Sequence, residues 1–146
     1  MLKTIASKPV VTASAHMTVS AAARAMRENN VGALVVVNAG RPSGMLTDRD
    51  IALEVVALGR DPEVVLVRDV MHDKPTTIPV DAGLLEATQL FARTGFRRLP
   101  VVSKSGQLVG IVAVDDLIVL LGTELGHLAG GLTAGLRRSP RRRSVA

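Results

Sequence analysis

The sequence predicts an α/β fold of the α+β kind: two β-α-β-β-α units packed sheet to sheet about a pseudo-two-fold axis. Three observations lead there. A helix-spaced apolar segment, an apolar run and a Gly-led segment occur twice, in the same order and at a nearly fixed offset. Each copy alternates strand and helix signals. Neither copy is long enough to bury its own sheet, so the two must share an interior.

In the first copy, Val19-x-x-Ala22-x-x-x-Met26 leads into Val31-Gly32-Ala33-Leu34-Val35-Val36-Val37. A polar turn follows, then Gly44-Met45-Leu46-Thr47-Asp48-Arg49-Asp50-Ile51. In the second, Leu84-x-x-Ala87-x-x-x-Phe91 leads into Phe96-Arg97-Arg98-Leu99-Pro100-Val101-Val102, then Gly110-Ile111-Val112-Ala113-Val114-Asp115-Asp116-Leu117. The offset is 65 residues from Val31 to Phe96 and 66 from Gly44 to Gly110, so one loop carries an extra residue. The copies differ where Thr47 faces Ala113, and where Gly32-Ala33 faces Arg97-Arg98.

Taken in order, Pro9 to Thr12 is a short extended segment. Thr18 caps a helix to about Asn29, with Val19, Ala22, Ala23 and Met26 on one face. Gly32 to Val37 is a continuous run without a polar side chain that ends in three β-branched valines, as in a buried strand. Asn38 to Ser43 is turn chemistry. Gly44 to Leu46 is a second strand, and Thr47 or Asp48 caps a helix through about Leu58. Val67 to Met71 reads as a connector helix. The second copy repeats the pattern: Thr76 to Ile78 extended, Leu84 to Thr94 helical, Leu99 to Val102 and Gln107 to Val112 as strands, and a helix from Asp115 to about Leu121. Glu124 to Leu136 is Gly-rich and weakly amphipathic; it either continues that helix or packs on a partner chain. The expected boundaries are 5–65 for the first unit, 66–122 for the second, and 123–146 for a helical remnant with a basic tail.

Composition narrows the function. Aromatics are 1% of the 146 residues, so there is no ring platform for single-stranded nucleic acid. Cysteine is absent, which removes disulfides, thiolate metal sites and a cysteine nucleophile, and makes a reducing cytoplasm the expected location. No stretch approaches the ~20 continuous apolar residues of a membrane-spanning helix, and no signal-peptide core follows Met1. The net charge of +5 comes from Arg137, Arg138, Arg141, Arg142 and Arg143; the other 13 basic residues balance 13 acidic ones. The excess therefore sits on a tail rather than on the fold, where a DNA-binding face would carry it.

The two-copy layout, with Gly44-x-x-Thr47-x-x-Asp50 closing the first unit, resembles a tandem pair of CBS domains, or Bateman module. The resemblance covers about Ile5 to Leu121, and around Gly44 to Ile51 it is close to stand-alone prokaryotic CBS-pair proteins. It implies regulatory binding of an adenosyl ligand (AMP, ADP, ATP or S-adenosylmethionine) without chemistry on it, and a homodimer formed through helices, with an effector protein as a further partner. Exposed apolar helix positions such as Ile51, Leu53, Val55, Val56 and Leu58 point to dimerisation as well.

Asp50, in the first turn of a helix, has a carboxylate able to accept two vicinal ribose hydroxyls; Thr47 presents a hydroxyl beside free backbone N–H groups. The plainer reading of the same pair is a Thr-x-x-Asp capping box. The family pattern places this pair opposite Met71, Thr76, Phe96, Arg97 and Arg98. Met45 joins that set, Phe96 and Met71 serve as walls for the adenine, and the arginines meet phosphate. Phe96 is equally readable as core, and one arginine as solvated surface. The opposite cleft sets Asp116 and Ile111 against Ala6, Val11, Val31, Gly32 and Ala33. With Ala113 in place of threonine and no basic residue at hand, it is expected to be empty or weakly nucleoside-binding.

No enzyme is expected. His16, His72 and His127 are scattered, no metal-ligand spacing is present, and the adjacent Asp115-Asp116 diverge on a helix. The alternatives are a ligand-free dimerisation module that gates a partner, and nucleic-acid binding through the arginine tail.

Overall fold

The computed structural model describes residues 2–6 and 9–138 and contains two small sheets, one built on the hairpin of each copy, with the first completed by a short strand from the start of the second unit. The first has strand order β1-β2-β3-β4, from β1 (Thr12–Ala13), β2 (Ala33–Asn38), β3 (Arg41–Thr47) and β4 (His72–Asp73). The second has order β5-β6-β7, from β5 (Ile78–Pro79), β6 (Arg98–Val102) and β7 (Leu108–Ala113). Five helices accompany them: α1 (Leu2–Ile5), α2 (Val19–Asn29), α3 (Asp48–Ile51), α4 (Leu84–Thr94) and α5 (Val114–Arg138).

The two ladders are copies in register. Leu34 pairs with Leu46 and Val36 with Gly44; Leu99 pairs with Val112 and Val101 with Gly110. Both ladders slip at the next residue, between Val36 and Val37 and between Val101 and Val102. The extra residue changes the turn. Ala39 (φ 49°) and Gly40 (φ 75°) form a two-residue turn with both residues left-handed, so β3 starts at Arg41 and not at Gly44 as expected. The second hairpin uses a longer loop closed by the Gly106 N–H to Ser103 oxygen bond at 2.9 Å, with Gly106 at φ 80°.

Helix ends follow sequence chemistry. Thr18 accepts the Ala21 N–H at 3.2 Å, and Asn30 at φ 51° ends α2. Gly95 at φ 69° ends α4. α3 runs on through a π-helical turn, Ala52–Val56, whose Val55 is buried. That stretch carries less free apolar surface than expected, because Val55 faces the core while Leu53, Val56 and Leu58 face solvent.

Alternation along the strands creates two interiors. Leu34, Val36 and Leu46 pack with Ala22 and Met26 of α2; Leu99, Val101 and Val112 pack with Ala87 and Phe91 of α4. The opposite faces meet each other. Val35 has no exposed surface and Ala33 is buried, yet neither belongs to a helix-side core. Pro100, the counterpart of Val35, is buried too. The hairpin tips join where the Leu108 N–H donates to the Gly40 oxygen at 2.9 Å. Leu2 crosses over: it is fully buried in the second unit's core beside Ile78 and Leu117.

Two expectations need correction. The connector is a single 3-10 turn, Val67–Asp69, followed by β4, and not a helix to Met71. Val67 and Val70 anchor it in the first core. β4 can lie against β3 only because residue 44 is glycine: a Cβ there would stand 2.7 Å from Met71 Sδ and 3.0 Å from the His72 oxygen.

The last helix does not stop near Leu121. α5 is continuous over 25 residues and, by length and composition, is long and apolar enough to cross a membrane. Gly, Thr and His break its apolar run, so it does not read as continuous in the sequence, while Glu124 is the only charge between Leu117 and Leu136. Its start is fixed in the second core by Leu117; beyond that Ile118, Leu125, Leu128, Leu132 and Leu136 are exposed. Arg137 and Arg138 lie on this helix, and the rest of the arginine tail lies outside the described residues.

Candidate functional site

The sheet-to-sheet packing leaves a cleft on either side of the pseudo-axis. Where the end of β3 faces the start of β6, the cleft holds about 640 Å³. Met45 and Thr47 line it from the first unit; Thr76, Phe96, Arg97 and Arg98 line it from the connector and second unit. Six of the eight predicted residues therefore share one cavity.

Asp50 and Met71 do not. The Asp50 carboxylate is spoken for: Oδ2 accepts the Thr47 N–H at 2.8 Å, and Oδ1 lies 2.8 Å from His72 Nε2. Thr47 Oγ1 in turn accepts the Asp50 N–H at 3.2 Å, which completes a capping box. The side chain of Asp50 is 14% exposed against 71% for His72, so the histidine lies over the carboxylate on its solvent side. Met71 turns inward, packs on the first core and fills the space over Gly44.

Two glycines shape this cleft. A Cβ at Gly32 would stand 2.9 Å from Asp48 Oδ2, so its absence lets the start of α3 sit against β2, where the Asp48 N–H donates to the Gly32 oxygen at 3.0 Å. Gly95 turns the chain out of α4 and leaves Phe96 54% exposed. Phe96 is a cleft residue here and not core. The cleft also gathers Arg49, His72 and Lys74, which sequence reasoning missed. Four formal cations (Arg49, Lys74, Arg97, Arg98) face two acids (Asp48, Asp73), so the lining is net positive without counting His72. Arg97 is loosely tied to Asp115 at 3.4 Å, both exposed.

The opposite cleft holds about 220 Å³ and is lined by Val11, Val31, Gly32, Ala33, Ile111, Ala113 and Asp116, as the repeat predicts. Ala6 is not among them; it packs on the second core. Asp116 Oδ2 accepts the Ala113 N–H at 3.3 Å, the counterpart of the Thr47–Asp50 bond. Among the described residues no histidine is bonded to Asp116. The expectation that no basic residue stands near is overturned, because Arg98 lines this cleft as well as the larger one. Among the described residues no cluster of His, Cys, Asp or Glu is arranged to hold a metal ion.

The CBS-domain family model matches residues 2–57 and 67–122. The chain belongs to the CBS-domain family. The CBS pair is 46% identical over 110 residues to the CBS domain-containing protein YhcV of Bacillus subtilis, covering 75% of this chain and 77% of that one. An uncharacterized protein of Methanopyrus kandleri is 37% identical over 115 residues, 78% of this chain, but the match spans only 59% of the longer protein. Among solved structures, hypoxic response protein I with two coordinated zinc ions aligns with a TM-score of 0.72 at 33% identity, covering 80% and 95% of the two chains. A CBS domain protein of Pyrobaculum aerophilum complexed with AMP aligns with a TM-score of 0.73 at 25% identity, covering 84% and 98%. The hexameric CBS-CP12 protein of bloom-forming cyanobacteria gives 0.72 at 31% identity, covering 80% of this CBS pair and 65% of that chain.

Proposed function

We propose that this CBS pair is a regulatory module that binds an adenosyl ligand, AMP, ADP or ATP, in the larger cleft and does no chemistry on it. The observation that carries this reading is the cleft of about 640 Å³ between the repeats, in which exposed Phe96 and apolar Met45 stand beside Arg97, Arg98 and Lys74. A ligand pocket of about 300–1,000 Å³ with an apolar wall and a few placed polar groups is of the size and kind that small molecules occupy. Phe96 offers a face for a purine, and the cations offer charge-assisted contacts to phosphate. Thr47 and Thr76 supply neutral hydrogen-bonding hydroxyls. The related P. aerophilum protein binds AMP, which supports the same ligand class here.

Thermal-shift and titration calorimetry with AMP, ADP, ATP and S-adenosylmethionine test the proposal. A ligand at a hundredfold excess over its dissociation constant should add about 2.7 kcal/mol of stability. No stabilisation by any of them at millimolar concentration would overturn the reading. It would favour the second one, a ligand-free module that assembles through helices, for which the exposed apolar side chains of α5 are the specific observation.

A further inference from the structure

We propose that Arg98 is shared by the two clefts, so that a phosphate held in one weakens the hold of the other on a second phosphate. The inference rests on the nucleotide-binding reading and adds competition between the clefts to it.

Arg98 opens β6 and pairs with Ala113; Ala33 opens β2 and pairs with Thr47. The two are pseudo-symmetry mates, and both line both clefts, which places them at the axis. A symmetric pair would give each cleft its own cation. Alanine at 33 leaves one guanidinium between two cavities.

The other cations do not serve both sides. Arg49, Lys74 and Arg97 line the larger cleft alone, and Arg97 is tied to Asp115. Among the described residues Arg98 forms no ion pair and is the one cation lining the smaller cleft. That cleft combines one cation with the Asp116 carboxylate in about 220 Å³, room for a phosphate and the hydroxylated sugar that carries it. A guanidinium that turns its bidentate fork to a phosphate on one side keeps only its remaining N–H donors for a second phosphate on the other, which it holds more weakly. A phosphate in the larger cleft thus draws from the smaller one the cation that Arg98 supplies to it, and linkage makes the effect reciprocal.

Methyl NMR of the full chain, titrated with AMP and separately with adenosine, reads the clefts independently. Met45 lines only the larger cleft and Ile111 only the smaller. Replacing Phe96→Ala and Arg97→Ala together removes two exposed groups that line only the larger cleft. Sharing predicts that this damage tightens AMP binding at Ile111 by about tenfold, the effect of roughly one charge-assisted contact. Adding Arg98→Ala should cancel the gain, and adenosine, which has no phosphate, should show none. AMP affinity at Ile111 that stays level or weakens in the double variant would overturn sharing while leaving nucleotide binding intact. No saturable response at either methyl, with AMP or with adenosine, would overturn both.

Discussion

His72 Nε2 lies 2.8 Å from Asp50 Oδ1, while Oδ2 of the same carboxylate accepts the Thr47 N–H at 2.8 Å. Both plain roles of Asp50 meet at this point. It caps α3, and the oxygen that a ribose diol would use is already held by an exposed histidine. A ligand that uses Asp50 must first displace His72. His72→Ala should therefore tighten adenosine binding several-fold, in line with the ~1 kcal/mol net value of a hydrogen bond. Calorimetry that shows unchanged or weaker binding would mean that Asp50 serves the helix only.

Asp50→Ala should do two separable kinds of damage. Loss of the capping box should lower stability by about 1 kcal/mol. If AMP displaces His72 and takes the Asp50 carboxylate for its ribose, the variant should also weaken AMP by roughly 1.5–3 kcal/mol, the range for hydrogen bonds to a charged group. Asp116→Ala should change AMP affinity little, because the smaller cleft is deprived of Arg98 when the larger is filled. Paired denaturation and titration curves on both variants decide the matter; a greater loss from Asp116→Ala would assign the ligand to the smaller cleft.

Gly44→Ala is expected to destabilise the fold by about 1–3 kcal/mol, the usual range for overpacking. A new Cβ would meet Met71 Sδ at 2.7 Å and the backbone oxygen of His72 at 3.0 Å, so β4 must shift. The same shift would separate His72 from Asp50. Urea denaturation checks the first effect, and His72 ring resonances check the second.

Leu34→Ala and Leu99→Ala occupy equivalent places in the two cores, and both side chains are fully buried. Each should cost about 2–5 kcal/mol. If the units share one cooperative interior through Val35 and Pro100, each variant should move a single unfolding transition. Two separated transitions would show that the units melt independently.

α5 should carry self-association. Ile118, Leu121, Leu125, Leu128 and Leu132 recur at intervals of three and four residues, and all are exposed. That stripe is the pattern by which two helices pack side by side. Leu125→Gln with Leu128→Gln should leave the unfolding transition of the CBS pair in place and shift sedimentation from dimer to monomer at tens of micromolar. A wild-type chain that sediments as a monomer would remove the dimer; recovery of wild type, but not the variant, on lipid vesicles would point to a membrane as the occupant of that face.

The repeat determined most of this protein by itself. Its offset of 65 and 66 residues set the order of elements and made the two hairpins equivalent, because burial alternates with a period of two; the register shift after Val36 and after Val101, and the start of β3 at Arg41, came only with the structure. The resemblance to CBS pairs, laid over that repeat, pointed to Met45, Thr47, Thr76, Phe96, Arg97 and Arg98 around one cleft and to Val11, Val31, Ile111 and Asp116 around the other, and the structure lines the two clefts with those residues. Only the tertiary structure decided what depends on contacts across the axis or on very short elements. β4 is two residues long, too short for any periodicity to register, so the pairing of His72 with Asp50 had no sequence signal beyond the glycine at 44 that makes room for it. The burial of Leu2 in the second core joins residues more than seventy positions apart. Arg98 reaches both clefts because the sheets meet face to face at the strand starts, and a linear repeat assigns each residue to one unit and cannot show that a side chain at the axis belongs to both.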